Sequence, residues 1–174
     1  CMKVADRMPE RNFIIAGAPS RSASDYEAYI AGRSNVSLLF GRTYDILKYA
    51  DAAIINSGTA SLEAALIGTP QVVCWSTSRL TYLAAKYVLK VMDHIKYISL
   101  GNLCIDRMAF RELIQNDFNV DAVSGEITRL CEDTEYRSRM LADYDEIRRS
   151  LGGSGASKAV AKAMIEDLSG AVRS

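Results

Sequence analysis

From residue 12 onward, short apolar, β-prone runs alternate with longer stretches whose apolar residues recur at helical spacing, the pattern of βαβ units around a parallel sheet. Residues 12–16 (Asn-Phe-Ile-Ile-Ala) predict a strand closed by Gly17, Ala18 and Pro19. Residues 22–31 predict a helix with Ser22 or Ser24 as N-cap and Tyr26, Tyr29 and Ile30 facing inward. A second strand over 35–40 ends at Gly41, and a short helix covers 43–50. The third strand, 51–55, lacks polar alternation, as expected of a strand covered on both faces. Residues 56–59 turn into a helix that runs to about Ile67, where Gly68-Thr69-Pro70 stops it. Residues 71–75 (Gln-Val-Val-Cys-Trp) give a fourth strand, with Trp75 read as core or pocket wall. A long helix over 78–92 carries a broad apolar face, suited to the core or to lipid or a partner, and a β-prone piece follows at 97–100. Beyond residue 105 the pattern predicts helices only, near 109–115, 120–131, 134–151 and 157–168. Gly152-Gly153-Ser154-Gly155 is the strong linker signal and divides a domain over 1–151 from a glycine hinge and terminal crossover helix over 152–174.

Residues 1–10 carry Met2, Ala5 and Met8 at helical spacing before Pro9, without an initiator methionine, so they read as the last turns of a helix whose beginning lies upstream. The chain is therefore expected to be a fragment or excised domain; a short N-terminal helix is the alternative. Composition agrees with one folded globular unit, since 174 residues hold 49% hydrophobic and 24% charged side chains. Twenty-one basic residues balance twenty-one acidic ones without a single-sign block, which argues against nucleic acid as a partner. Cys1, Cys74, Cys104 and Cys131 form no C-x-x-C pair and only His94, read as solvent-exposed, could join them, so no metal site and no cofactor are expected. No apolar run reaches the roughly 18 residues of a spanning helix, and the start does not read as a signal peptide. A cytoplasmic protein, at most attached to a membrane surface, is the expectation.

The chemistry concentrates in residues 51–63, Asp-Ala-Ala-Ile-Ile-Asn-Ser-Gly-Thr-Ala-Ser-Leu-Glu. A buried strand enters a polar glycine turn and then a helix, so the free N–H groups of the helix start point beyond the strand ends and make an anion site. Gly58 and the hydroxyls of Ser57 and Thr59 let a diphosphate approach the backbone; simple capping by Ser57 or Thr59 is the alternative. Glu63 lies one turn on, where a carboxylate can accept from the two hydroxyls of a ribose, or complement the helix dipole. Gly41 and Arg42, after the neighbouring strand, fall at the same sheet edge, where ligands of doubly wound folds lie, as do residues 17–20. Arg42 is a nucleotide contact or a solvated loop charge. Asn102, between Leu100-Gly101 and Leu103, faces a ligand or satisfies its own loop in an Asx-turn.

Asp51-Ala52-Ala53 with Ser57-Gly58-Thr59-Ala60-Ser61-Leu62-Glu63 is similar to the Ser-Asp-Ala-Ala-Leu-Leu-Ala-Ser-Gly-Thr-Ala-Thr-Leu-Glu stretch of the lipid-A-disaccharide synthase family of GT-B glycosyltransferases. Residues 97–103 (Tyr-Ile-Ser-Leu-Gly-Asn-Leu) resemble that family's Tyr-(Val/Ile)-Ser-Leu-Pro-Asn-Leu segment, 112–115 its Glu-Leu-Leu-Gln, and 152–158 its late glycine run. The chain departs from the pattern at Gly101 and Arg111, where proline is usual, and at Trp75-Ser76, where a basic residue usually follows the aromatic.

The resemblance implies an α/β fold, a Rossmann-like parallel sheet with flanking helices forming the C-terminal half of a GT-B enzyme, and a helical C-terminal extension. It implies transfer of 2,3-diacylglucosamine from UDP-2,3-diacylglucosamine to 2,3-diacylglucosamine 1-phosphate, releasing UDP, in lipid A assembly on the cytoplasmic face of the inner membrane. Ser57, Gly58 and Thr59 would then hold the diphosphate, Glu63 the ribose, Gly41 and Arg42 the uridine side, and Asn102 the sugar or phosphate region. The catalytic acidic residue, the first strand and a Gly-Ser-Arg loop would lie upstream with the missing N-terminal domain, leaving this part inactive alone. Other UDP-sugar GT-B enzymes, such as a MurG-like transferase or a UDP-N-acetylglucosamine 2-epimerase, and a non-catalytic nucleotide-binding subunit needing a partner chain, are the competing readings.

Overall fold

The fold is anchored by the strand of Gln71–Trp75, whose first four residues are all buried. A strand with no exposed face is the mark of a parallel sheet sandwiched between helices, and the surrounding elements follow that plan. The computed structural model describes residues 1–56, 58–78, 96–152, 160–162, 164 and 165. In chain order these form α1 (Met2–Arg7), β1 (Phe13–Gly17), α2 (Ser24–Ile30), β2 (Val36–Phe40), α3 (Thr43–Tyr49), β3 (Ala53–Asn56), α4 (Thr59–Ile67) and β4 (Gln71–Trp75). They continue with α5 (Leu100–Cys104), β5 (Glu112–Ile114), a 3-10 turn over Gln115–Asp117, α6 (Val120–Glu132) and α7 (Thr134–Ser150).

All strand pairings are parallel. β1 pairs with β2 in one sheet, Phe13 opposite Val36 and Gly17 opposite Phe40. A second sheet has the order β3-β4-β5, with Ala53 opposite Gln71 and Cys74 opposite Leu113. Chain order runs outward from β1 to β2 in one sheet and from β3 through β4 to β5 in the other, so the direction of winding reverses between β1 and β3. The two sheets match the runs 3-2 and 4-5-6 of the doubly wound order 3-2-1-4-5-6, whose switch point lies between such runs. Among the described residues no strand pairs with the remaining edge of β1 or of β3.

One core serves both sheets. Val72, Val73 and Cys74 of β4 and Leu113 of β5 meet Val4 and Met8 of α1, Val123, Ile127 and Leu130 of α6 and Met140, Tyr144 and Ile147 of α7, while Phe13 of β1 and Ile54 and Ile55 of β3 pack against the same cluster. Tyr144 is fully buried; its ring meets Phe110 edge-on at 6.0 Å and its hydroxyl donates to the Thr69 carbonyl at 3.1 Å, which joins α7 to the entry of β4. Burying side chains of this size contributes about 1.5–3 kcal/mol each. Asn119 and Asp133 set the starts of α6 and α7 by accepting from Ala122 N and Tyr136 N, both three residues on. The two-stranded sheet is covered less completely: Ile14, Ala16, Ser37 and Leu39 share a face on which Ile14 is 49% and Leu39 44% exposed.

Two expectations are corrected. The β-prone piece at 97–100 forms no strand, because the Ile98 and Ser99 amides donate to the Glu112 carboxylate at 2.8 and 3.0 Å instead of to a neighbouring strand, and α5 starts at Leu100. Residues 109–115, expected to be helical, contain β5. There Val73 N donates to the Arg111 carbonyl at 2.9 Å and Leu113 is buried, so pairing with β4 overrides the local helical spacing. A smaller difference is that Ala23, and neither Ser22 nor Ser24, occupies the cap of α2. The helix expected over 78–92 and His94 lie outside the described residues, Ser78 excepted; of the terminal helix, 160–162, 164 and 165 are described and helical. Gly152 follows α7 at φ 76°, the left-handed position in which glycine commonly ends a helix.

Candidate functional site

α4 begins directly beyond the carboxyl end of β3, and its N-cap is Gly58. Gly58 has φ 135° and ψ −160°, a backbone conformation essentially reserved to glycine. A Cβ built there would meet no atom within 4 Å, so backbone conformation, and not crowding, demands glycine, and space lies open beside it. As a glycine, the cap residue contributes no side-chain bond to the helix start. Thr59 is the first helical residue rather than a cap, and Ser61 turns its hydroxyl back onto the Gly58 carbonyl at 2.8 Å. The Ser61 amide donates to the Gly58 carbonyl at 3.3 Å, whereas the Thr59 and Ala60 amides precede the helical ladder and present the positive end of the helix dipole to an anion. Ser57 lies outside the described residues.

Glu63 stands on the next turn of α4, half-buried. Across from it, Tyr44 of α3 donates its hydroxyl to Glu63 Oε1 at 3.4 Å. This contact joins α3, which follows β2, to α4, which follows β3, and so links the exits of the two sheets. Gly41, at φ 67°, ends β2, and a Cβ there would also meet nothing within 4 Å. Arg42 is exposed and pairs with Asp45 in the first turn of its own helix. The charge expected to serve a ligand is thus already partnered in this conformation. The loop after β1 is tied back, with Ala18 N donating to the Tyr26 hydroxyl at 2.9 Å.

Asn102 does not stand at an open surface. It is fully buried, and its Nδ2 donates to the Phe110 carbonyl at 2.9 Å and to Glu112 Oε1 at 2.8 Å. Its Oδ1 accepts from Ala109 N at 2.8 Å and Phe110 N at 3.2 Å. Glu112 gathers the Ile98 and Ser99 amides, the Ser99 hydroxyl and the Asn102 amide on one carboxylate. The pair holds α5 and the residues before it against β5. Gln115, just past β5, adopts φ 53° and accepts from Thr77 N at 3.3 Å, linking the exits of β4 and β5.

The fold thus brings Gly58, Thr59 and Glu63 together, with Gly41 and Arg42 on the loop that leads to Tyr44, and places Asn102 in a separate buried network. Sequence reasoning missed Tyr44 and the Glu112 network. Glu112 stood only in the match over 112–115, and with Arg111 beside it nothing local marked its carboxylate as the centre of a network. Tyr44 carried no signal, because only the packing of α3 on α4 brings it to Glu63.

Comparison with known proteins bears on what such a site holds. Residues 7–165 match the family model described as lipid-A-disaccharide synthetase. Lipid-A-disaccharide synthase of Geobacter sulfurreducens is 33% identical over 167 residues, covering 95% of this chain and 42% of that protein. The enzyme of the same name from Trichlorobacter lovleyi is 34% identical over 155 residues, covering 88% of this chain and 39% of its own length. That of Syntrophus aciditrophicus is 36% identical over 126 residues, covering 72% of this chain and 32% of its own. The chain therefore spans about two-fifths of the length of the first two relatives.

Proposed function

The chain belongs to the lipid-A-disaccharide synthetase family, and from that premise we propose that it is the UDP-sugar-binding half of a glycosyltransferase. The full protein transfers 2,3-diacylglucosamine from UDP-2,3-diacylglucosamine to 2,3-diacylglucosamine 1-phosphate, forming the lipid A disaccharide and UDP. The observation that carries the reading is the start of α4, where a glycine cap in a conformation reserved to glycine sets the positive end of the helix dipole at the carboxyl end of β3. Ser57, Gly58 and Thr59 hold the diphosphate there and Glu63 accepts from the ribose hydroxyls. Gly41 and Arg42 line the uridine side, Arg42 with its pairing to Asp45 kept. Asn102 serves the sugar and phosphate region indirectly, through the segment that it and Glu112 hold in place. As the bond to the sugar breaks, negative charge grows on the β-phosphate, and the helix start stabilises it by preorganised dipoles without a covalent intermediate.

The rest of the enzyme supplies the catalytic carboxylate and a first strand between β1 and β3, ahead of the domain over 1–151; the glycine tract from 152 leads a crossover helix back. Acylated substrates place the work at the cytoplasmic face of a membrane, with peripheral contact, and no described helix is long and apolar enough to cross one. Calorimetric titration of this chain with UDP and with ADP tests the reading. UDP is expected to bind in preference to ADP, without turnover of the sugar donor. Glu63→Ala is expected to weaken UDP binding about tenfold or more, the worth of a hydrogen bond to a charged group, at nearly unchanged melting temperature. Equal affinity for UDP and ADP would overturn the assignment; a large fall in melting temperature with unchanged affinity would make Glu63 structural.

A further inference from the structure

We infer that Tyr44 is the base-binding residue of the nucleotide site, its ring forming the platform on which the nucleobase stacks while Glu63 takes the ribose. The inference rests on the UDP reading given above and adds a residue to it. Three observations carry it. Tyr44 is 62% exposed on α3, far more than a ring placed for packing would be, yet its hydroxyl lies 3.4 Å from Glu63 Oε1. A ribose held at Glu63 puts its base within reach of that ring. Three residues before it, Gly41 leaves open space where a Cβ would stand, so no side chain of that residue crowds the loop leading to Tyr44. Charge gives the third observation. The guanidinium of Arg42 is paired with Asp45, so in this conformation the end of the crevice near Tyr44 offers no unpaired cation from that loop, whereas the start of α4 offers the positive end of a helix dipole. An anionic diphosphate is drawn to the α4 end, and the uncharged base is left at the tyrosine. Aromatic faces accept any base by stacking and lose substantial affinity on truncation to alanine.

The test is a set of titrations of the whole chain with UDP and with inorganic pyrophosphate, which has no base to stack. Tyr44→Ala is expected to weaken UDP at least about fivefold while pyrophosphate affinity stays within about twofold. Tyr44→Phe, which keeps the ring and loses the hydroxyl, is expected to bind UDP within about threefold of the unchanged protein. Tyr44→Ala binding UDP as tightly as the unchanged protein would overturn the inference and leave the nucleotide reading standing. Equal losses for UDP and pyrophosphate, or a Tyr44→Phe variant as weak as Tyr44→Ala, would also overturn it, since neither is stacking. Unchanged protein that binds no UDP would remove the nucleotide reading itself, and this inference with it.

Discussion

Replacing Asn102 by alanine separates two ways in which a buried amide can matter to a site. The side chain makes four hydrogen bonds: to the Phe110 carbonyl, to Glu112, and from the Ala109 and Phe110 amides. After truncation the Ala109 amide retains the Arg107 carbonyl at 3.1 Å as an acceptor, but the buried amide and carbonyl of Phe110 lose the partner they had. Each polar group left bare inside a protein costs about 1–3 kcal/mol, so a total of about 3–4 kcal/mol is expected. Against a typical stability of about 5–15 kcal/mol, that is a large fraction. With a urea slope of about 2 kcal/mol per molar, the unfolding midpoint should fall by about 1.5–2 M at unchanged slope. Circular dichroism during urea titration measures it, with UDP binding measured below the transition, where the remaining folded protein should bind with nearly full affinity. A midpoint within about 0.5 M of the unchanged protein, together with lost UDP binding, would refute the reasoning and make Asn102 a ligand contact.

Gly68 closes α4 at φ 98°, and a Cβ there would stand 3.2 Å from Arg148 Nη2, which itself donates to the Ala65 carbonyl at 3.1 Å. Gly68→Ala should therefore cost at least about 1–2 kcal/mol, the penalty for a left-handed residue with a side chain; an unchanged denaturation midpoint would show that the helix end relaxes freely. Acid stability follows from three carboxyls held below their ordinary range: Asp6 by its hydrogen bond to Arg33, Asp133 by the Tyr136 amide and Glu146 by Arg107. A carboxyl that titrates lower in the folded chain than in the unfolded one adds stability above its unfolded value, and that stability is lost as pH falls through the folded one. Melting temperature should accordingly be flat on this account near neutrality and drop below about pH 4, and a rise there would contradict the assignment.

Where local signals and long-range packing agreed, the fold was legible. β4 reads as a strand from five residues because Gly-Thr-Pro bounds an unbroken apolar run, and burial on both faces asks for nothing else. β5 was not legible. It is three residues long, and its extended form depends on register with Val73, Cys74 and Trp75, some forty positions earlier, so no local window contains its cause. The same distinction divides the site. Gly58 stands out in sequence because a turn between strand and helix asks for a residue free of side-chain constraint. The Tyr44–Glu63 contact is invisible there, because it depends on two helices meeting over a change in winding direction. Asn102 had two readings in sequence, and its side chain is spent on Phe110 and Glu112.

The break between β1 and β3 bears on measurement as well as on topology. Gly41 and Tyr44 ride on the exit from the two-stranded sheet, and Gly58 and Glu63 on the exit from the three-stranded one, so the two ends of the proposed crevice are mounted on different sheets. Strands in a sheet are spaced about 4.8 Å apart, and in the proposed site a strand between β1 and β3 would act as the shim that gauges the distance from aromatic ring to helix start. A shim of one strand's width leaves a fixed reach between base and phosphate. Its removal leaves that reach to be set by α3 and α4 alone, and ligand length would then be read with looser tolerance.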